Sequence, residues 1–153
     1  MNGLDGQLFL GRLSETLSDL IEAQSAEVFA EAGLLIPVKS ASLMRAIEAS
    51  EPASAVDLAR ALDVSHQLVL QKTPKLLALG LVARVPCPDD GRRKLFSLTD
   101  AGRRQLALLR DLEPRIVAAY ETLREEVGDV HGLLRDAVEA LRRRPLPDRL
   151  GRG

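Results

Sequence analysis

Hydrophobic residues recur at three- and four-residue steps from early in the chain. Leu8, Leu10, Leu13, Leu17, Leu20, Ile21, Val28 and Phe29 share one side of a helix that the spacing predicts to run to about Ala32, with Gly33 ending it. Pro37 suits the first turn of a second helix with Val38, Leu43, Met44 and Ile47 inward, and Glu51-Pro52-Ala53 then breaks the pattern. Ser54 is placed to cap a third helix carrying Val56, Leu58, Ala59 and Leu62; Asp63-Val64-Ser65 makes a tight turn; Ser65 caps a fourth helix ending near Gly80. The period then falls to two. Leu81–Val85 and Lys94–Leu98 read as strands separated by the turn-rich PCPDDGRR. Thr99 caps a long helix with Leu106, Leu109, Leu112, Ile116, Tyr120, Leu123 and Val127 at helical spacing, and Pro114 inside it predicts a kink by removing the bond to the Arg110 carbonyl. Gly128 closes that helix, Asp129 opens a last one with Leu133, Leu134, Ala137, Val138 and Leu141, and residues 145–153 read as a flexible tail.

These elements predict a mainly α chain with one small β-hairpin. Two short helices joined by a tight turn form a helix-turn-helix, and the hairpin that follows the second helix is a wing. The length of 153 residues allows one domain with a real core, or a core domain plus a dimerisation element. Aromatic residues make up only 3 %, so the core must be built from Leu, Ala, Val and Ile. No apolar run approaches the roughly 18 residues that span a bilayer, and the N-terminus lacks the basic and apolar regions of a signal peptide, so a cytoplasmic protein without a membrane partner is expected. One cysteine, Cys87, and two histidines predict neither an internal disulfide nor a structural metal. No glycine-rich phosphate loop and no nucleophile with a base and an orienting group can be assembled, so neither a cofactor nor an enzyme is expected.

Charge is uneven along the chain. Residues 1–63 hold four basic and ten acidic groups (−6), 64–110 hold nine and three (+6), and 111–153 hold eight and nine (−1). A basic block in a nearly neutral protein either offers a local patch to a polyanion or is a merely solvated face.

Two runs of sequence bear on that choice. In DGRRKLFSLTDAG, Asp90-x-Arg92 is followed by Leu98-Thr99-x-x-Gly102; in ALDVSHQLV and LLALGLVAR, Val64, Ser65, Val69, Leu76, Gly80, Leu81 and Val82 stand at matching positions. With the element order around them, these runs resemble the MarR family of winged helix-turn-helix transcriptional regulators over nearly the whole chain. The resemblance implies a homodimer through a helical region of residues 1–36 and 99–144, a DNA-binding lobe over 37–98, and double-stranded DNA as partner. It also implies repression as the commonest outcome and a small-molecule effector held between the two regions. A compact monomer with a long surface helix is the alternative.

On a helix of 100° per residue with Val69 at the centre of the buried side, Thr73 and Leu76 lie within about 40°, and Gln67, Gln71 and Pro74 lie opposite. Proline there forfeits the bond to the Leu70 carbonyl, which water is expected to satisfy, but the first two turns precede it. Gln67 and Gln71 can each bond an adenine edge, or they are solvated glutamines. Ser65 and His66 open the helix; His66 reaches a phosphate or a base edge, or is an ordinary surface histidine. Lys72 and Lys75 flank the reading face as candidate phosphate ligands. In the wing, Arg92 suits a narrow minor groove, Asp90 can hold its side chain, and Arg93 and Lys94 suit phosphates. Cys87 stands where the family commonly has an acid and Asp89 where it commonly has a base, so the wing's field should be weaker than typical. Leu68 and Leu70 either pack on neighbouring elements, touch thymine methyls, or form a protein-binding surface. This last reading, with Pro74 and Asp89, supports a second function: a dimeric winged-helix interaction module without sequence reading. Cys87 as a redox sensor is a lesser reading, and His131 reads as structural or exposed.

Overall fold

The computed structural model describes residues 6–151, and the chain's own contacts divide it into two compact units, 1–111 and 112–153. In the first unit a turn of 3-10 helix at Gln7–Phe9 leads into α1 (Leu10–Glu31). The expected start of the second helix at Pro37 is a 3-10 turn, Val38–Ser40, continuing as α2 (Ala41–Ser50). Next come β1 (Ala53–Ser54), α3 (Ala55–Leu62), α4 (His66–Ala78), the hairpin β2 (Val82–Pro86) and β3 (Lys94–Leu98), and the long α5 (Asp100–Val127), which runs through Pro114 as one continuous helix into the second unit.

The core of the first unit lies where the periodic residues of α2, α3 and α4 meet the sheet and the start of α5. Leu43, Met44, Ile47, Leu58, Val69, Leu76, Leu81, Val82, Phe96 and Leu106 are buried there. Full burial of a Leu, Ile or Met side chain stabilises by about 1.5–3 kcal/mol, so this cluster sets the lobe's stability. Helix α1 is different. Phe29 is its one buried residue, and Leu10, Leu13 and Leu20 are each more than half exposed.

Local chemistry fixes the joints. The Ser54 hydroxyl caps α3 by accepting from the Asp57 N–H at 3.2 Å and donating to its carboxylate at 2.5 Å, which with the cationic Arg60 and Arg93 nearby holds the Asp57 carboxyl below its ordinary range although burial opposes this. The turn of the helix-turn-helix is a Schellman cap. Asp63 takes the left-handed conformation at φ 55°, with Val64 N–H bonded to Ala59 O and Asp63 N–H to Arg60 O. The same device closes α4 at Gly80, φ 68°.

Two features depart from the sequence expectation. Ala53, expected to end a break, and Ser54, which caps α3 as expected, pair antiparallel with β3 (Ala53 with Phe96, Ser54 with Leu95), giving a three-stranded sheet ordered β1-β3-β2. A two-residue strand has no period to read. In the second unit, α6 (Val130–Arg143) starts at Asp129, whose carboxylate accepts from the Gly132 N–H at 3.0 Å as its cap position implied. Within the expected tail, however, Leu146–Arg149 forms a turn of helix, α7. Arg149 folds back to donate to the carbonyls of Arg144 and Ala140, both at 2.8 Å, the second of which also accepts the Arg144 N–H at 3.0 Å at the end of α6.

Candidate nucleic-acid interface

Helix α4 is held from both ends and from below. Ser65 caps its start, its hydroxyl accepting from the Leu68 N–H at 3.1 Å. Val69, Thr73 and Leu76 are its buried residues, while Gln67, Gln71, Pro74 and Lys75 are exposed, in accord with the predicted angular division. The helix runs unbroken through Pro74. The carbonyl of Leu70, which loses its helical donor to the proline ring, receives instead the hydroxyl of Thr73 at 3.4 Å, a long bond from within the protein where water was expected.

The exposed face continues into the wing. Between α4, the start of α3 and the wing strands lies an open groove of about 350 Å3, whose lining includes His66 and Leu70 on one side and Arg84, Arg93 and Lys94 on the other. Leu70 faces this groove, and Leu68 faces a smaller cavity against α2, so both leucines are directed toward neighbouring elements. Arg84 escaped the sequence reading. Its signal is the strand parity counted from Val82, which sets Arg84 opposite Phe96 and beside the Lys94 end of β3.

At the tip, Asp90 does something other than expected. Its carboxylate accepts the main-chain N–H of Arg92 at 3.0 Å, and its carbonyl accepts that of Arg93 at 3.0 Å, so Asp90 folds the turn and leaves the Arg92 guanidinium free of it. Arg92, Lys94, Lys75 and Arg84 are exposed with no hydrogen bond or ion pair from their side chains among the described residues. The structure thus brings Ser65, His66, Gln67, Gln71 and Lys75 onto the open side of α4 and Arg92, Arg93 and Lys94 onto the wing, but turns Lys72 elsewhere: it is half-buried and donates to the main-chain carbonyl of Lys39.

Behind this face the polar groups are all engaged. Thr99 donates its hydroxyl to Gly80 O at 2.6 Å and accepts the Gly102 N–H at 3.0 Å, while its own N–H bonds Leu81 O at 3.1 Å. Gly102 has no substitute here, since a Cβ on it would stand 2.1 Å from the Leu81 carbonyl oxygen. These bonds are the physical content of the LTDAG run. Glu51 joins β3 to α5, accepting from Leu98 N–H at 2.6 Å, Ser97 Oγ at 3.1 Å and Arg103 at 2.5 Å. Burial alone would raise the Glu51 carboxyl, but these donors and the guanidinium outweigh it and hold the group below its ordinary range.

Among the described residues no group of three or more His, Cys, Asp or Glu side chains is placed to hold a metal ion, and no helix is long and apolar enough to cross a membrane.

A helix-turn-helix whose second helix lies exposed beside a cationic hairpin defines a winged helix-turn-helix of the nucleic-acid-binding class. Residues 33–93, which take in the helix-turn-helix and most of the wing, match the family model described as "MarR family". No curated protein matches the chain. Among solved structures, the fold is similar to that of a mutant MarR from E. coli complexed with operator DNA: identity is 21 %, coverage 90 % of this chain and 99 % of that one, and TM-score 0.70. It is also similar to the PcaV transcriptional regulator from Streptomyces coelicolor in complex with its natural ligand, with 19 % identity, 92 % and 96 % coverage and TM-score 0.64. A probable transcriptional regulator from Pseudomonas aeruginosa is 25 % identical, covering 90 % and 97 %, with TM-score 0.57.

Proposed function

We propose that the chain is a sequence-specific double-stranded DNA-binding regulator that works as a cytoplasmic homodimer, represses transcription, and has its DNA affinity set by a small-molecule effector. The observation that carries this reading is the open face of the winged lobe. Gln67 and Gln71 lie exposed in the first turns of α4, Lys75 lies exposed further along it, and Arg84, Arg92 and Lys94 lie exposed on the wing, these four cations with no internal partner among the described residues. Two exposed amides on the helix with exposed cations on the helix and the wing suit a duplex, with phosphates supplying affinity and base edges supplying sequence.

Dimerisation through residues 1–36 and 99–144 is supported by uncovered apolar surface in both units. In the first, Leu10, Leu13 and Leu20 are open; in the second, Val117, Tyr120, Val127, Leu133 and Val138 are, well beyond scattered surface leucines. Residues 37–98 form the DNA-binding lobe. The operator-bound MarR and the ligand-bound PcaV support DNA and an effector as partners by likeness of fold, and repression follows the family resemblance.

The test is a footprint of the purified protein on the DNA upstream of its own gene, titrated with salt. Two protected half-sites about one helical turn apart and an affinity falling steeply with salt are expected. Protection of no site, or an affinity flat in salt, contradicts the reading. A second reading, an interaction module without sequence reading, is favoured by one observation: Leu70 remains 46 % exposed in the groove beside the wing.

A further inference from the structure

Lys72 stands apart from the other cations of the winged lobe. It lies on α4 about 100° round from Gln71, on the flank that faces α2. Its Nζ donates to the main-chain carbonyl of Lys39, in the turn leading into α2. The residue also lines a cavity of about 150 Å3, together with Ser42, Leu43, Leu62, Val64 and Leu68. Burial, and next the Lys39 ammonium, draw Lys72 below the ordinary lysine range, with Glu22 pulling the other way. Lys39 in turn is gripped by α1: its ammonium meets Glu22 at 2.6 Å and Asp19 at 3.6 Å, and the bond to Glu22, ahead of the counteracting desolvation, holds it above its ordinary range.

A lysine whose ammonium is held at a carbonyl behind the reading face is badly placed to neutralise phosphate. To do so it must give up Lys39 O and leave that acceptor to water. Kept where it is, it joins the recognition helix to the α1–α2 junction through two side chains.

We infer that Lys72 is a positioning residue for the reading helix: docked on Lys39, and through it on Asp19 and Glu22 of α1, it fixes how Gln67 and Gln71 are presented to the duplex. This rests on the DNA-binding reading above. It separates two kinds of lysine on one helix, Lys75 acting by charge and Lys72 by placement.

The experiment measures binding to the footprinted operator and to a random duplex across a salt series, for the wild type, Lys72→Met, Lys72→Arg and Lys75→Ala. Methionine keeps the stem and removes the donor; arginine keeps a donor and guards against misreading a folding defect. For Lys72→Met the operator-to-random affinity ratio is expected to fall about tenfold while the slope of log affinity against log salt stays at the wild-type value. Lys72→Arg should restore most of the ratio. Lys75→Ala should reduce the steepness of the slope by about 1.8, the loss of one phosphate contact in each protomer of the dimer, and leave the ratio near wild type. A slope less steep by about 1.8 in Lys72→Met, one contact per protomer, identifies Lys72 as a phosphate ligand and overturns the inference, as does an unchanged ratio. Failure of the wild type itself to bind with a salt dependence overturns the DNA-binding reading, a result recognisable before any variant is compared.

Discussion

The two sides of the winged lobe handle polar groups in opposite ways. On the side toward α5, Thr99 makes four bonds, Glu51 gathers three donors, and Gly102 lets two backbones touch. On the side bearing α4's open face, Gln67, Gln71, Lys75 and Arg92 stand exposed without side-chain partners among the described residues. An unsatisfied group costs little in water and much when dry, so the second set is tolerable only at the surface and useful only against a partner that completes it. Stability and the proposed recognition therefore reside in different residues.

Substitutions on each side test that separation. The largest expected effect is Gly102→Ala, where the new methyl collides with the Leu81 carbonyl and backbone must move; a loss of about 3 kcal/mol in urea unfolding is expected, and a loss below 1 would show that the contact relaxes freely. Glu51→Gln comes next. It keeps the shape and removes the charge that Arg103 and the Leu98 N–H hold, with an expected loss of about 2 kcal/mol at neutral pH. Since the folded carboxyl lies below its ordinary range, its contribution is complete above that range and disappears as the pH falls through the lowered value. The glutamine variant should accordingly lose less stability than the wild type on acidification, and parallel pH curves would remove Glu51 from the account. The smallest effect on stability belongs to Gln67→Ala with Gln71→Ala, within about 0.5 kcal/mol, although each change should reduce operator discrimination by about 1–3 kcal/mol. Unchanged discrimination would favour the interaction-module reading.

The same division governs what the sequence discloses. Capping and periodicity are local, so Ser54, Ser65, Thr99 and Asp129 announce the helices they begin, and the inward set Val69, Thr73 and Leu76 follows from angle alone. What depends on a distant neighbour is hidden. Lys72 and Lys75 look alike as candidate phosphate ligands, and only Lys39, 33 positions away, distinguishes them. Asp90 sits two residues from Arg92 under either arrangement, and the turn's geometry decides that it takes the main-chain N–H. The pairing of Ala53–Ser54 depends on β3, more than forty residues on, and the turn at Leu146–Arg149 on carbonyls at the end of α6.

The close seat of Gly102 on Leu81 has a mechanical consequence. Most elements in a protein meet through side chains, which swing between rotamers and absorb small shifts. Here main chain rests on main chain, and the joint has no cushion. A tilt of the first turn of α5 must carry the root of the hairpin with it, so whatever displaces one end of this contact is felt undiminished at the other.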